Sequence, residues 1–238
     1  GDEEFHGYSG PLHVKKSDRE DDLLLDKFIE AGEEAGFPLT RDFNGKEQEG
    51  FSRYEHTIND TPRGPRRWSS AQAYLHPALK RKNLFNETNV TVDKLILDGK
   101  KVKGVEYVNE KGVRTSCFVN REVILSAGAL GSPQILMRSG IGDSNDITKH
   151  GIAMVHELKG VGKNLQDHYG VTSAFYATQP VTLHRSASWL STQIAGIKYL
   201  LFGTGDAAYP PCSGGAFIKS SPDKDLPDTQ LHYVSVQS

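Results

Sequence analysis

The chain has 238 residues, with 28 Lys and Arg against 30 Asp and Glu and a formal net charge of −2. Its 37% hydrophobic and 24% charged residues exclude a disordered chain, and its length suits one large or two small domains. The charge balance argues against a dedicated nucleic-acid binder. No run of about 18 apolar residues offers a transmembrane segment. The two cysteines, Cys117 and Cys212, cannot build a disulfide framework, and the lack of a secretion signal suggests an intracellular location.

The spacing predicts a helix over 17–36. Ser17 and Glu20 stand at capping-box spacing, Leu24, Phe28, Ala31 and Ala35 form one apolar stripe, and Gly36 and Pro38 stop it. Residues 38–66 are polar and turn-rich, with a breaker run at Thr61-Pro62-Arg63-Gly64-Pro65. A short helix follows Ser69 or Ser70 and holds Ala71, Tyr74 and Leu75. Residues 84–125 suggest a strand meander, with a hairpin at Asp98-Gly99 and a compact apolar strand at Val123–Leu125.

After that strand comes Ala127-Gly128-Ala129-Leu130-Gly131, a small-residue turn. Ser132-Pro133 then reads as a helix cap and first turn. A strand, such a turn and a helix N-terminus let backbone approach a phosphate or ribose; they equally describe a plain crossover. A short helix at 144–150, a strand at 152–156, strands at 170–178, 214–219 and 229–236, and a helix at 186–202 complete the chain.

Residue chemistry by itself excludes more than it assigns. The nine histidines are scattered without a zinc spacing, so a metal site is not supported, and no GxSxG occurs. Gly203-Thr204-Gly205-Asp206-Ala207-Ala208 matches GxGxxA, but it follows a helix and precedes Pro210-Pro211, so a dinucleotide reading fails. The sequons at Asn86 and Asn89 read as chance. Cys212 lies in a loop without packing periodicity, where function is commoner than in cores, although a lone Cys is usually a small hydrophobe.

Two blocks carry a family resemblance. Gly128-Ala129-Leu130-Gly131-Ser132-Pro133-Gln134-Ile135-Leu136-Met137-Arg138-Ser139-Gly140-Ile141-Gly142 resembles the second signature of the glucose–methanol–choline (GMC) flavoprotein oxidoreductases. Gly160-Val161-Gly162-Lys163-Asn164-Leu165-Gln166-Asp167-His168 resembles that family's next fixed block. Ala73-Tyr74-Leu75-His76-Pro77-Ala78-Leu79, Pro180-Val181-Thr182-Leu183-His184 and Pro227-Asp228-Thr229-Gln230-Leu231-His232 resemble its choline-dehydrogenase branch.

The resemblance implies an α/β to α+β fold: part of a Rossmann-like FAD-binding domain with a mixed or antiparallel-sheet substrate domain. It implies substrate-domain parts at 1–65 and 166–238 and an FAD-domain part at 66–165. It implies the middle of an enzyme whose GxGxxG unit precedes Gly1 and whose catalytic His lies beyond Ser238, with an edge left open at Leu231–Val236. The implied cofactor is FAD. Val92 aligns with a valine whose strand meets the adenine, and Ser126, Ala127 and Gly128 match the small-residue turn beside the dinucleotide. The implied reaction oxidises a primary alcohol to an aldehyde, with a quinone-type acceptor or oxygen taking the electrons. A bacterial cytoplasmic or membrane-associated setting, or a mitochondrial one, goes with it.

For the substrate pocket the resemblance points to Cys212, Ser213 and His232. Choline-oxidising members carry a Glu where Ser213 stands, and a neutral hydroxyl offers a fixed cation no comparable attraction, which favours a less charged alcohol over choline itself. Cys212 also resembles the cysteine of fatty acid photodecarboxylases, although these pair it with an Arg where this chain has His232. A truncated chain without activity is the remaining alternative.

Overall fold

The computed structural model of the chain describes residues 4–16, 22–179, 181–183 and 188–235. In chain order the elements are β1 (Lys15–Lys16), α1 (Leu23–Glu34), β2 (Gly50–Arg53), β3 (Glu55–His56), β4 (Ile58–Thr61), β5 (Gly64–Arg67) and α2 (His76–Ala78). Then follow β6 (Val90–Asp98), β7 (Lys101–Asn109), β8 (Arg114–Phe118), α3 (Gly128–Arg138), β9 (Ile141–Gly142), α4 (Ser144–Ile147), β10 (His156–Glu157), α5 (Trp189–Phe202), β11 (Gly214–Ile218) and β12 (Thr229–Tyr233). They form two compact units, Gly1–Leu84 with Ser173–Ser238 and, between these in sequence, Phe85–Thr172.

The first unit is built on an antiparallel sheet in the order β12-β11-β2. Side chains alternate across a strand, and α1 covers one face. Leu25 is fully buried, and the Phe28 ring meets Phe51 of β2 and Tyr233 of β12, with centroids 5.1 and 5.7 Å apart. Gly214 is required by this packing, since a Cβ there would stand 2.6 Å from Leu25 Cδ1. Asp26 of α1 pairs with Arg53 of β2. The cap of α1 differs from the Ser17–Glu20 expectation: Asp22 Oδ1 accepts from Leu25 N at 3.3 Å, and Ser17 and Glu20 lie outside the described residues.

The breaker run at 61–65 closes a hairpin, with Pro62 and Arg63 as its turn. β4 and β5 pair antiparallel across it, and Thr61 Oγ1 accepts from Arg63 N and donates to Gly64 O. The short helix after Ser70 begins as a π turn, Ala71–Leu75, before passing into α2. α5 starts at its Ser188 cap, which accepts from Ser191 N, and ends on Gly203 in the left-handed region.

In the second unit β6, β7 and β8 form the expected antiparallel meander. α3 packs on β6 and is locked there by Ser139. Its Oγ donates to Ile135 O (2.5 Å) and accepts from Leu95 N (2.8 Å), two residues after a register irregularity of β6 at Asp93. Asp93, at that irregularity, pairs with Arg114 of β8 and Arg138 of α3, whose Nε also donates to the Asp93 carbonyl at 3.1 Å. Leu95, Ile135, Ile147 and Val161 are this unit's buried apolar side chains.

Two strand expectations fail. Val123–Leu125 is not in a strand and Ile124 is 78% exposed. Residues 170–178 carry no strand either, with Phe175 92% exposed. β-propensity needs a neighbouring strand to complete the ladder, and neither stretch has one among the described residues. The expected strand at 152–156 contracts to β10, which pairs parallel with β9. The expected end strand stops at Tyr233, and β12 is an edge of its sheet.

Candidate functional site

The sheet face opposite α1 gathers the chemistry of the first unit. Cys212 precedes β11, Tyr54 follows β2, and Gln230 and His232 sit two residues apart on β12. Register places Ser52, Gly215 and His232 in one row. Gly215 opens the space they use: a Cβ there would collide with the Tyr54 hydroxyl and the Leu231 carbonyl. Through that gap the Tyr54 hydroxyl donates to Leu231 O at 2.9 Å. The same oxygen lies 3.3 Å from His232 Nδ1 and accepts from Gln230 Nε2 at 3.3 Å. Cys212 Sγ lies 3.7 Å from His232 Nδ1.

A wall of rings supports this group. Phe43 packs on Tyr54 (5.4 Å) and Phe217 (5.1 Å), and the Tyr54 and His232 rings are 5.7 Å apart. Burial pushes both the Tyr54 phenol and the Cys212 thiol above their usual pKa values, so both keep their protons at neutral pH.

Of the three residues expected in the pocket, Cys212 and His232 come together. Ser213 is engaged elsewhere: it is 1% exposed and its Oγ donates to Pro210 O at 3.1 Å. Its hydroxyl braces the loop that delivers Cys212. Tyr54 was not legible in the sequence, because a separation of 178 positions between it and His232 hides the contact.

The expected cofactor residues lie in the second unit. Val92 is a half-buried β6 residue paired with Tyr107. Ser126, Ala127 and Gly128 lead directly into α3 and are exposed. The helix starts four residues before the expected Ser132 cap. Ser132 still serves the terminus, accepting from Ala127 N at 3.0 Å, while Pro133 falls inside the helix. Gly128 has φ +81°, and a Cβ there would meet nothing within 4 Å. No side chain caps the first N–H groups of α3, so this turn presents open, donor-rich backbone at a helix N-terminus. These residues fit a phosphate-bearing dinucleotide.

A third group forms where residue spacing carries no signal. His6, Asp42 and Glu55 offer ligand atoms within 4.8 Å of one another, with His6 Nε2 2.5 Å from Asp42 Oδ2. Asn44 joins them, its side chain donating to Glu55 and its backbone N–H to Asp42. A histidine, two carboxylates and an amide hold one another here as a polar clasp across 49 residues of sequence. Separation that long is why spacing rules for metal ligands pass over it.

Residues 2–170 match the GMC oxidoreductase family. The mitochondrial choline dehydrogenase of Mus musculus is 42% identical over 233 residues, covering 98% of this chain and 38% of its own length. The oxygen-dependent choline dehydrogenase of Pseudomonas savastanoi pv. phaseolicola is 40% identical over 237 residues, 99% of this chain and 41% of its own. A formate oxidase of Aspergillus oryzae, studied for modification of its FAD, superposes with a TM-score of 0.83 at 21% identity, covering 97% of this chain and 44% of that one. The chain thus spans about two fifths of the length of the curated relatives it matches.

Proposed function

The chain belongs to the GMC oxidoreductase family, and from that we propose that it takes part in FAD-dependent oxidation of a primary alcohol to an aldehyde. FAD, when bound, supplies the acceptor for the hydride. The uncapped start of α3 carries the cofactor half of this reading, with Ser126, Ala127 and Gly128 admitting the dinucleotide to the backbone and Val92 beside its adenine. Cys212 and His232 carry the substrate half, lining one face of the β11–β12 sheet. The histidine that takes the alcohol proton is expected outside these 238 residues. The same reading divides the chain into substrate-domain parts at 1–65 and 166–238 and an FAD-domain part at 66–165.

Choline itself is a second reading, supported by the choline dehydrogenases among the relatives. Against it stands the absence of a carboxylate at position 213, where a buried hydroxyl occupies the site. A quaternary ammonium needs a negative charge or an aromatic face to replace its hydration. The deciding experiment compares kcat/KM of the full-length flavoprotein for choline and for a neutral primary alcohol of similar size. Preference for the neutral alcohol is expected, and at least a tenfold preference for choline overturns it. The electron acceptor follows from running the same assay with a quinone dye under nitrogen and with oxygen alone.

Photodecarboxylation is disfavoured by the neutral, half-buried Cys212 thiol and by His232 beside it, since an imidazole cannot fork to a carboxylate as a guanidinium does. Light-dependent CO2 release lost in Cys212→Ala would reinstate it. No helix among the described residues is long and apolar enough to cross a membrane.

A further inference from the structure

We propose that Asp93 and Arg138 are positioning residues for the cofactor: together they hold a bulge in β6 that turns the Val92 backbone outward, where its N–H and C=O read the edge of an adenine. The inference rests on the FAD reading above and adds to it the device that aims Val92.

The direction of the Val92 backbone follows from register. Along an antiparallel strand, backbone N–H and C=O groups turn alternately to one side and to the other. Leu95 N donates to Ser139 Oγ of α3, so the Leu95 backbone turns away from β7. Its partner Val105 therefore turns to β8. β7 pairs with β8 without interruption from Gly104 to Val108, so Tyr107, two residues on, turns to β8 as well. Val92 lies opposite Tyr107 and so faces the outer edge of the sheet. Val92 and Leu95 are three residues apart, and in a regular strand they would face opposite sides. One extra residue between Val92 and Lys94 puts them on the same side, and that residue is Asp93.

Arg138 grips the bulge at two points. Its Nε donates to the Asp93 carbonyl at 3.1 Å, and a terminal nitrogen pairs with the Asp93 carboxylate. Arg114 of β8 takes the other carboxylate oxygen. The Asp93 side chain is nearly buried, so leaving it unpaired would be costly. Arg138 and Ser139 thus occupy the outer edge of β6 at positions 93 and 95, while the Val92 backbone has no hydrogen-bond partner on that edge among the described residues. A bulge that slipped by one residue would turn Val92 into the β7 ladder.

Such a device has a chemical use. Adenine sets an acceptor, N1, beside a donor, the 6-amino group. The outward N–H and C=O of one strand residue match that pair without any side chain. Hypoxanthine reverses both, with a proton on N1 and an oxygen in place of the amine. Fixing the bulge before the cofactor arrives removes a backbone rearrangement from binding.

The test uses the full-length flavoprotein stripped of its flavin. It is titrated, by quenching of flavin fluorescence, with FAD and with the analogue that carries hypoxanthine in place of adenine. The wild type should bind FAD at least about tenfold more tightly, an effect of the size of one hydrogen bond. Arg138→Gln should bring the two affinities to within about threefold of each other, by weakening FAD and leaving the analogue as it was. A general loosening of the second unit would weaken both flavins alike and keep their ratio. Asp146→Asn removes a paired carboxylate elsewhere in the same unit and should leave the ratio unchanged. Where Arg138→Gln does not fold, Asp93→Asn is read in its place. A wild-type ratio retained in the folded variant, or an equal fall in Asp146→Asn, overturns the proposal. A wild type that binds both flavins equally overturns the placement of adenine at Val92, and the device with it.

Discussion

On the sheet face of the first unit, Tyr54, Cys212, Gln230 and His232 come from three separated stretches of chain and hold one another. At the start of α3 in the second unit, Ser126, Ala127 and Gly128 are consecutive, exposed, and tied mainly through Ser132. The difference matches what the proposed function asks each region to bind. A hydroxyl needs side-chain groups aimed to within a few tenths of an ångström, so the fold supplies braces for them. A dinucleotide phosphate needs backbone N–H groups and empty space, which a helix start with no cap and no bulky side chain already offers.

The sharpest way to break this contrast is Gly215→Ala. The added methyl overlaps the Tyr54 hydroxyl and the Leu231 carbonyl, so the strand or the phenol must move. Overpacking of this kind costs about 1–3 kcal/mol. Hydrogen exchange should show β11 and β12 opening more readily while β6, β7 and β8 keep their protection. Equal loosening of both units would mean that the sheet face is not held locally.

Next in size is Asp93→Asn in the second unit. Two guanidinium groups beside Asp93, Arg114 first and Arg138 with it, hold its carboxyl below the usual carboxylate range. A carboxylate with a depressed native pKa stabilises the fold above its unfolded pKa, about 3.9, and loses that contribution as pH falls through the native value. Both arginines are more than half exposed, so solvent weakens the effect. The substitution should lower Tm at neutral pH by about 5 °C and shrink the gap between variant and wild type at strongly acid pH. A gap that stays constant with pH would show that the pairing is not what Asp93 contributes.

Gly128→Ala separates the two regions from the other side. The backbone there has φ +81°, which costs an L-residue about 1 kcal/mol, yet a methyl would meet nothing within 4 Å. Stability should fall by that small amount. Flavin retention, read by absorbance after gel filtration, should fall more, because the methyl occupies the approach to the backbone. Undiminished retention would remove Gly128 from the cofactor turn.

Local signals were readable from sequence where a single element carried them. The α1 stripe, the Asp98–Lys101 hairpin, the β6–β8 meander and the end of α5 at Phe202 all follow from periodicity and turn chemistry within a short window. The GMC blocks were readable for the same reason. Legibility failed where a partner far along the chain decides. Val123–Leu125 has the composition of a buried strand and no ladder partner among the described residues. Thr61–Pro65 reads as a break and instead holds the ends of two paired strands, with Pro62 and Arg63 as the turn between them. Tyr54 and the His6–Asp42–Glu55 group exist only because distant segments meet. Ser213 was placed by its neighbours in sequence, which report position along the chain but not the direction of a hydroxyl.

The smallest expected effect bears on acid stability, and it sets the two units apart by pH window. His56 on β3 has its Nε2 buried with no hydrogen-bond partner among the described residues, and burial lowers its pKa below the ordinary imidazole value. The neutral ring is the one the fold accepts. The unfolded chain therefore binds a proton more readily than the native one below about pH 6.5, and stability must decline as pH falls through that range towards the lower native pKa. Asp93 acts in the same direction, but only near and below its unfolded pKa of about 3.9. The first unit should thus loosen in mild acid and the second only in stronger acid. His56→Leu fills the site with an apolar side chain that cannot titrate. It should flatten the pH dependence of β1 and β3 protection between about pH 5 and 7 while leaving the acid response of β6–β8 unchanged. If the variant keeps the wild-type slope across that window, another group in the first unit carries the proton, and the division of the acid response between His56 and Asp93 is wrong.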